Sequence, residues 1–292
     1  MPELPEVETI NVGLRKLIVN KTIKSITTDW FKSLSYDPQY LKSNVLGQSI
    51  TEVDRRGKLL IIKLSNNYRV LIHLKMTGQL VYKDHKIRFG AGHPNDSLIN
   101  DLPDKSTRVI IQFSDNSFLY FNDQRKFGWI KIVNPNEFDN FSFLNTLGPE
   151  PLLDSFKVSD FKSNILKRPN SEIKAVLLDQ KIIAGIGNIY ADESLWLAKI
   201  HPKSKVNRLS EQKIKDLFNS LQQILILSIA KGGSSDRNYV NAEGKKGNYL
   251  EFANVYKRDK QLCPRCKKAN ILKIRVASRG THLCPNCQKI RK

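Results

Sequence analysis

CPRCKKANILKIRVASRGTHLCPNC, residues 263–287, sets two CxxC pairs 17 residues apart (267–283). Two such knuckles supply the four soft thiolates that close a tetrahedral zinc site. Disulfides and redox pairs are the other uses of CxxC. ILKIRV and THLCP read as the strands of a β-hairpin between the knuckles, with SRGT as its turn and Arg279 at the tip. Residues 257–292 hold 12 Lys or Arg against one acid, Asp259. A zinc hairpin this basic reads as a clamp on nucleic acid. It does not separate an enzyme from a binding module.

The rest of the chain carries the same bias. Lys plus Arg is 48 and Asp plus Glu is 28, a net of +20. Such an excess points to DNA, RNA or an acidic membrane surface. The length, 292 residues, suits about two domains, and 40% apolar content is enough for packed cores. No apolar run reaches the roughly 18 residues of a membrane span. The first ten residues carry three acids and no base, unlike a secretory signal. The expectation is a soluble intracellular protein that does not enter a membrane.

Upstream, Leu4, Val7, Ile10, Leu14, Leu17 and Ile18 recur at helical spacing behind MPELPEVETI. The period then changes. KTIKSITTDW, GQSITEVD, GKLLIIKLS, YRVLIHLKM, TRVIIQFS, SFLYF and FGWIKIV are short and rich in β-branched and aromatic residues. SNN and SDNS between neighbours read as hairpin turns. An antiparallel β-sandwich or barrel is expected over residues 20–133. NPNEFDNFSFLNTLGPEP has three prolines and no clear period, so a linker is placed at 134–150. EIKAVLLDQ, IYADESLWLAKI and residues 210–230 are helical in pattern, and Ser210 suits a helix start. KGGSSDRNYVNAEGKKGNYLEF follows, long and Gly-rich, with the character of a functional loop. The expected divisions are 1–133, a linker, 151–255 and 256–292.

Two further stretches carry chemistry. Pro2 follows a removable Met1 and precedes Glu3 and Glu6. Helix initiation explains the trio in structural terms, since Pro suits a first turn and acids oppose the helix dipole. AGIGNIYADESL places Gly185 and Gly187 before a helix starting near Asn188, which could cap it. A plain inter-helix turn and a phosphate-binding helix N-terminus both fit that spacing.

Together these pieces resemble the formamidopyrimidine-DNA glycosylase family of bifunctional DNA repair enzymes, from end to end and in order. MPELPEVET is similar to the family's opening. RRGKLL, HLKMTGQL, DQRKFG, NTLGPEPL, LLDQKIIAGIGNIYADESLW, KGGSS, NAEGKKGNY and SRGTHLCPNCQ are similar to its later blocks. The resemblance implies an α+β multi-domain fold: an N-terminal helix with an antiparallel β-sandwich, a helix–two-turns–helix DNA-binding domain and a C-terminal β-hairpin zinc finger. It implies a monomer acting on damaged double-stranded DNA, in the cytoplasm and associated with the nucleoid. The activity would be excision of oxidised purines followed by strand cleavage.

By the same resemblance Pro2 is the nucleophile, Glu3 its acid partner, and Lys58 a phosphate ligand and proton donor. Arg279 would bind phosphate and assist a second elimination, with Glu6 in support. Met76, Arg125 and Phe127 would fill the gap left by a flipped-out base, although pattern alone makes Phe127 a core residue of its strand. Lys174 and Asn188 would grip flanking phosphates. One Zn2+ would sit on Cys263, Cys266, Cys284 and Cys287. Residues 231–249 would close over the flipped base.

Two stretches depart from the family pattern. A Lys-His-x-His stretch is replaced by Lys105-Ser106-Thr107-Arg108, where Arg108 could substitute for the missing His as a DNA ligand. A basic run is replaced by Lys167-Arg168-Pro169-Asn170, leaving Arg168 as its DNA ligand. Both changes are expected to alter affinity or lesion preference more than reaction type. An endonuclease VIII-like enzyme acting on oxidised pyrimidines is the second enzyme reading, although its usual opening has Gly where this chain has Leu4. A non-catalytic zinc-finger binder of nucleic acid is the third, and intact Pro2, Glu3 and Lys58 argue against it.

Overall fold

Residues 1–93, 96–234 and 248–290 are described by the computed structural model. The chain divides into two units: Met1–Asn145 with Lys231–Asn248, and Thr146–Ala230 with Tyr249–Lys292.

In the first unit the helical period at the N-terminus forms α1 (Leu4–Ile18), with Leu4, Val7, Ile10, Leu14 and Ile18 buried. Glu3 is its N-cap, so Pro5 rather than Pro2 occupies the first turn. Pro2 stands ahead of the helix, and helix initiation does not explain it. Among the described residues nine strands follow: β1 (Ile23–Thr28), β2 (Ile50–Arg56), β3 (Leu59–Leu64), β4 (Arg69–His73), β5 (Gly78–Lys83), β6 (Arg88–Gly92), β7 (Thr107–Phe113), β8 (Phe118–Asp123) and β9 (Trp129–Val133). They pair antiparallel into two sheets, of order β1-β7-β8-β5-β6 and β2-β3-β4-β9. One apolar core is shared by both sheets, as in a β-sandwich. The expected SNN and SDNS turns join β3 to β4 and β7 to β8, with Asn67 and Asn116 at positive φ.

Strands β5 and β6 carry no alternation that the sequence reading detected. Residues Gly78–Tyr82 are buried without a break, and RFGAG in β6 has little β-branched character. α1 packs on β2 and on β6, the edge strands of the two sheets. It covers edges that would otherwise be open to pairing. A Cβ at Gly13 would lie 2.3 Å from the Phe89 ring, so this helical glycine lets α1 approach β6 closely. A short α2 (Pro38–Asn44) lies between β1 and β2.

In place of the expected linker stand two one-turn helices, α3 (Pro135–Phe138) and α4 (Ser142–Asn145). Phe138, Phe141 and Phe143 pack against Leu59, Leu71 and Val133, which ties this stretch to the first unit. A helix of one turn is too short to show a period.

The second unit contains α5 (Val158–Ile165), α6 (Ile173–Leu178), α7 (Asn188–Leu197), α8 (Glu211–Ala230) and α9 (Tyr249–Phe252) around one apolar core. α7 packs on α6, on α8 and on the terminal hairpin of β10 (Leu272–Val276) and β11 (Arg279–Leu283). The hairpin turn is Ala277-Ser278, both at positive φ, and not SRGT. Arg279 therefore begins β11, opposite Val276, instead of forming the turn itself.

Candidate active site

The start of α1 is held by one carboxylate. Glu6 Oε2 accepts the Glu3 N–H at 2.8 Å, and Glu6 Oε1 accepts the Ser234 N–H at 2.7 Å. Pro2, Glu3 and Glu6 are all buried. Further along α1, Glu8 pairs with Arg55 Nε at 2.5 Å, and Arg15 donates twice to the Val53 carbonyl at 3.0 and 2.8 Å. Both contacts dock the helix on β2. The turn between β2 and β3 is Gly57-Lys58, with Gly57 at φ 58° and Lys58 only 8% exposed. The tight turn and the docked helix thus place an amine-bearing turn and the Pro2–Glu3 end on one framework.

Two histidines missed by the sequence reading stand in this unit. Burial, with the charges of Lys75 and Lys58, pushes the His73 imidazole down to about 3. The ring is neutral, and its Nδ1 accepts the Lys75 N–H at 3.0 Å. His93 is also lowered, by burial and then by the positive N-terminus. Neither His lies in a spacing that signals chemistry from sequence.

Met76, Arg125 and Phe127 are brought together. Met76 lies in the β4–β5 turn; Arg125 and Phe127 lie between β8 and β9. Arg125 Nη1 is 3.2 Å from Met76 Sδ, and its guanidinium lies 4.7 Å from the Phe127 ring centroid. Phe127 is 53% exposed, so it is not a core residue. The loop is pinned by Asp123, a fully buried residue that the sequence reading passed over. Its Oδ1 accepts from the Thr77 hydroxyl and from Arg125 N–H, and its Oδ2 accepts Phe127 N–H at 2.8 Å and Gly128 N–H at 2.6 Å. An acid at the head of a turn, followed by a glycine, was the available signal.

Arg108 is placed differently from expectation. It is buried, donating to the Asp123 carbonyl at 3.0 Å and engaging Asp29 and the Lys105 carbonyl. Its guanidinium supports the Asp123 loop from inside. Ser106, at the position of the missing family His, is buried and bonded to Asp104 and Ser97.

In the second unit Gly185 takes φ 86°, and Gln180 braces the turn through the Gly185 N–H and the Ile186 carbonyl. The N-cap of α7 is Gly187, not Asn188. Asn188 instead donates from Nδ2 to the Gly280 carbonyl at 2.9 Å. Lys174 is fully buried, bonded to Asp192 Oδ1 at 2.6 Å and Thr281 Oγ1 at 2.7 Å. Both of these partners of the enclosed ammonium belong to the protein itself. Arg168 is exposed and pairs with Asp179 at 2.8 Å, and Arg279 is exposed.

The four cysteine sulfurs lie within 4.8 Å of one another, with Cys263–Cys287 at 3.9 Å and Cys266–Cys284 at 3.7 Å. A tetrahedron of Zn–S bonds near 2.3 Å needs S–S separations of about 3.8 Å, so the set fits zinc. The Lys268 N–H and the Asn286 amide lower the Cys266 thiol to about 6, whereas burial pushes Cys284 up to about 12. A divalent cation would stabilise all four as thiolates. Arg265 stacks 3.8 Å from the Trp196 ring and donates to the last carbonyls of α7 at Trp196 and Leu197. That contact seats the first knuckle on the helix C-terminus.

The residues expected to form the loop over a flipped base, 231–249, fall largely outside the described residues, at 235–247. Its two ends meet, Asn248 N–H donating to the Lys231 carbonyl at 3.0 Å.

Three families match successive parts of the chain. They are the Formamidopyrimidine-DNA glycosylase N-terminal domain over residues 1–130, the Formamidopyrimidine-DNA glycosylase H2TH domain over 147–239, and the zinc finger found in FPG and IleRS over 260–290. The chain is similar to the formamidopyrimidine-DNA glycosylase of Enterococcus faecalis, 38% identical across 100% of this chain and 98% of that protein. The Streptococcus pyogenes enzyme is 39% identical over the full length of both. Among solved structures, the Lactococcus lactis Fpg in complex with DNA containing an abasic site superposes with a TM-score of 0.85 at 36% identity, covering 98% of this chain and 99% of that one. The wild-type Lactococcus lactis protein with N7-benzyl-Fapy-dG DNA gives 0.85 at 35% identity, covering 99% and 100%.

Proposed function

The chain belongs to the formamidopyrimidine-DNA glycosylase family, and from that premise we infer how its own residues excise an oxidised purine from duplex DNA and cut the strand. The observation that carries the reading is the start of α1, where Pro2 and Glu3 are buried and Glu6 holds the turn.

With Met1 removed, Pro2 presents a secondary amine. An α-amino group has a pKa near 8, against about 10.4 for Lys, so a useful fraction is neutral near pH 7. The amine attacks the sugar C1′ and the glycosidic bond breaks, the base leaving with its electron pair and taking up a proton. Glu3 protonates the ring oxygen as the sugar opens. The product is an iminium without an N–H to lose, so it stays cationic and acidifies the C2′ protons. Loss of a C2′ proton expels the 3′ phosphate. A second elimination then expels the 5′ phosphate, with Arg279 binding the leaving group. Lys58 serves as phosphate ligand and proton donor.

Met76, Arg125 and Phe127 fill the gap left by the flipped nucleotide, with Arg125 pairing to the orphaned cytosine. The α7 N-terminus, Asn188 and Arg168 contact the backbone. Cys263, Cys266, Cys284 and Cys287 hold one structural zinc ion, which fixes the basic hairpin. No helix among the described residues is long and apolar enough to cross a membrane. We place the enzyme's work at the nucleoid, as a single chain on damaged duplex DNA. The loop at about 231–249, most of which lies outside the described residues, is assigned to recognition of the flipped base.

The test is a duplex bearing 8-oxoguanine opposite cytosine, with products separated on a denaturing gel. Scission ending in a 3′ phosphate is expected; an intact strand would overturn the reading.

A further inference from the structure

Lys174 and Asp192 form an ion pair that is fully buried at both ends, 2.6 Å apart. A buried pair of this kind is seldom retained for stability alone, because desolvating two charges offsets much of their attraction. Both charges reach the same short piece of β11. Lys174 Nζ donates to Thr281 Oγ1 at 2.7 Å and lies 3.4 Å from the Gly280 carbonyl. Asp192 Oδ2 accepts the His282 N–H at 2.8 Å and faces the His282 ring at 3.3 Å. Thr281 Oγ1 in turn donates to the Arg279 carbonyl at 3.1 Å, and Asn188 adds a second donor to Gly280. The backbone on both sides of Gly280 is thereby fixed by groups from α6 and α7, while the Arg279 side chain stays exposed. The metal-ligating cysteine nearest to Arg279 along the chain is Cys284, just past β11 and five residues on (279 to 284). The metal alone does not hold this end of the strand.

We propose that Lys174 and Asp192 are positioning residues for Arg279, and that this buried pair sets the partition between single and double elimination at the abasic sugar. The proposal rests on the role given to Arg279 above. In the second elimination a C4′ proton is lost, the C5′–O bond breaks and the 5′ phosphate departs with the electron pair. A guanidinium receives that phosphate only if its strand end is held in one place. The first elimination, which depends on the Pro2 iminium, does not require it.

The test uses full-length zinc-loaded protein and duplex DNA with an abasic site. Three readouts are taken: the ratio of δ to β product, the borohydride-trapped yield, and bound zinc. Asp192→Asn and the paired replacement Lys174→Met with Asp192→Leu should keep zinc and trapped yield while the δ to β ratio falls about tenfold, the loss of a charge-assisted hydrogen bond. Arg279→Ala should show the same fall, and adding Asp192→Asn to it should add nothing. Thr281→Val keeps the ion pair and all zinc ligands, so it reads the same coupling where the other variants fold poorly; a fall of about threefold is expected.

An unchanged ratio in Thr281→Val and in the folded pair variants overturns the proposal. So does a loss in Asp192→Asn that adds to that of Arg279→Ala. A Lys174→Met variant that only weakens binding, with the salt slope reduced by about one, would make Lys174 a direct phosphate ligand instead. Wild-type protein that is not trapped at all overturns the reading of Pro2, a result distinct from a trapped enzyme with unchanged product ratios.

Discussion

The carboxylate of Glu6 accepts the backbone N–H of Ser234 at 2.7 Å, joining the helix start to a segment 228 residues away in the chain. Its other oxygen holds the Glu3 amide. A Glu6→Gln change leaves one acceptor and turns an NH2 toward an N–H donor. It should lower kcat/KM on 8-oxoguanine duplex by about 10- to 100-fold, the worth of a hydrogen bond to a charged group, while Tm changes by a few degrees. Gly233→Ala should act in the same direction. Its φ is 82°, and an added Cβ would lie 2.9 Å from Glu6 Oε1. Steady-state kinetics of both variants decide the point, and wild-type kcat/KM in Glu6→Gln would contradict it.

Asp123 makes the Met76–Arg125–Phe127 cluster possible. Asp123→Ala leaves the Thr77 hydroxyl and the Phe127 and Gly128 amides without their acceptor, and leaves the Arg125 amide with Thr77 Oγ1 alone. Activity on a duplex lesion should fall roughly 100-fold through loss of the base-replacing wedge, while cleavage of an abasic site in single-stranded DNA, which needs no wedge, stays within about threefold. Equal losses on both substrates would reduce Asp123 to a general stabiliser.

His73 supplies a pH dependence. Its pKa is about 3 in the folded protein, against about 6.5 in the unfolded chain. Below pH 6.5 the unfolded chain binds a proton that the folded chain refuses. This contribution is whole above pH 6.5 and is lost as pH falls toward 3. Asn keeps an acceptor for the Lys75 N–H but does not titrate. Urea unfolding should show the stability gap between wild type and His73→Asn shrinking by roughly 3 kcal/mol from pH 7.5 to 4.5. Parallel curves would rule it out.

Zinc removal should act on binding more than on the first unit. Chelation is expected to weaken duplex binding at least tenfold, on the order of the loss of several phosphate contacts, and added zinc should restore it. Metal analysis should give one ion per chain. Tight binding by metal-free protein would show that the hairpin is not a clamp.

Much of this was legible in the residues. The period of α1, the two CxxC pairs and the hairpin turns at Asn67 and Asn116 are local signals, and each appears where expected. β6 was hidden because Gly90, Ala91 and Gly92 carry little strand preference; its place is set by pairing with β5. The grouping of Met76, Arg125 and Phe127 was legible only through resemblance, since exposure of Phe127 is a tertiary property. Arg108 and Lys174 show the limit most clearly. A basic residue in a DNA-binding protein suggests a phosphate, yet Asp29 and Asp192, distant in sequence, take up these two charges. Asp123 and Asp192 were missed for the same reason, because their value lies in what they hold.

The central claim is that Pro2 is the nucleophile once Met1 is gone. Borohydride trapping on abasic-site duplex, followed by mass spectrometry of the adduct, tests it most directly. One covalent protein–DNA adduct on the Pro2 nitrogen is expected. A chain that keeps Met1 or a tag ahead of Pro2 should give none, although it still binds the duplex. An adduct on a lysine, or equal trapping of the blocked chain, would contradict it.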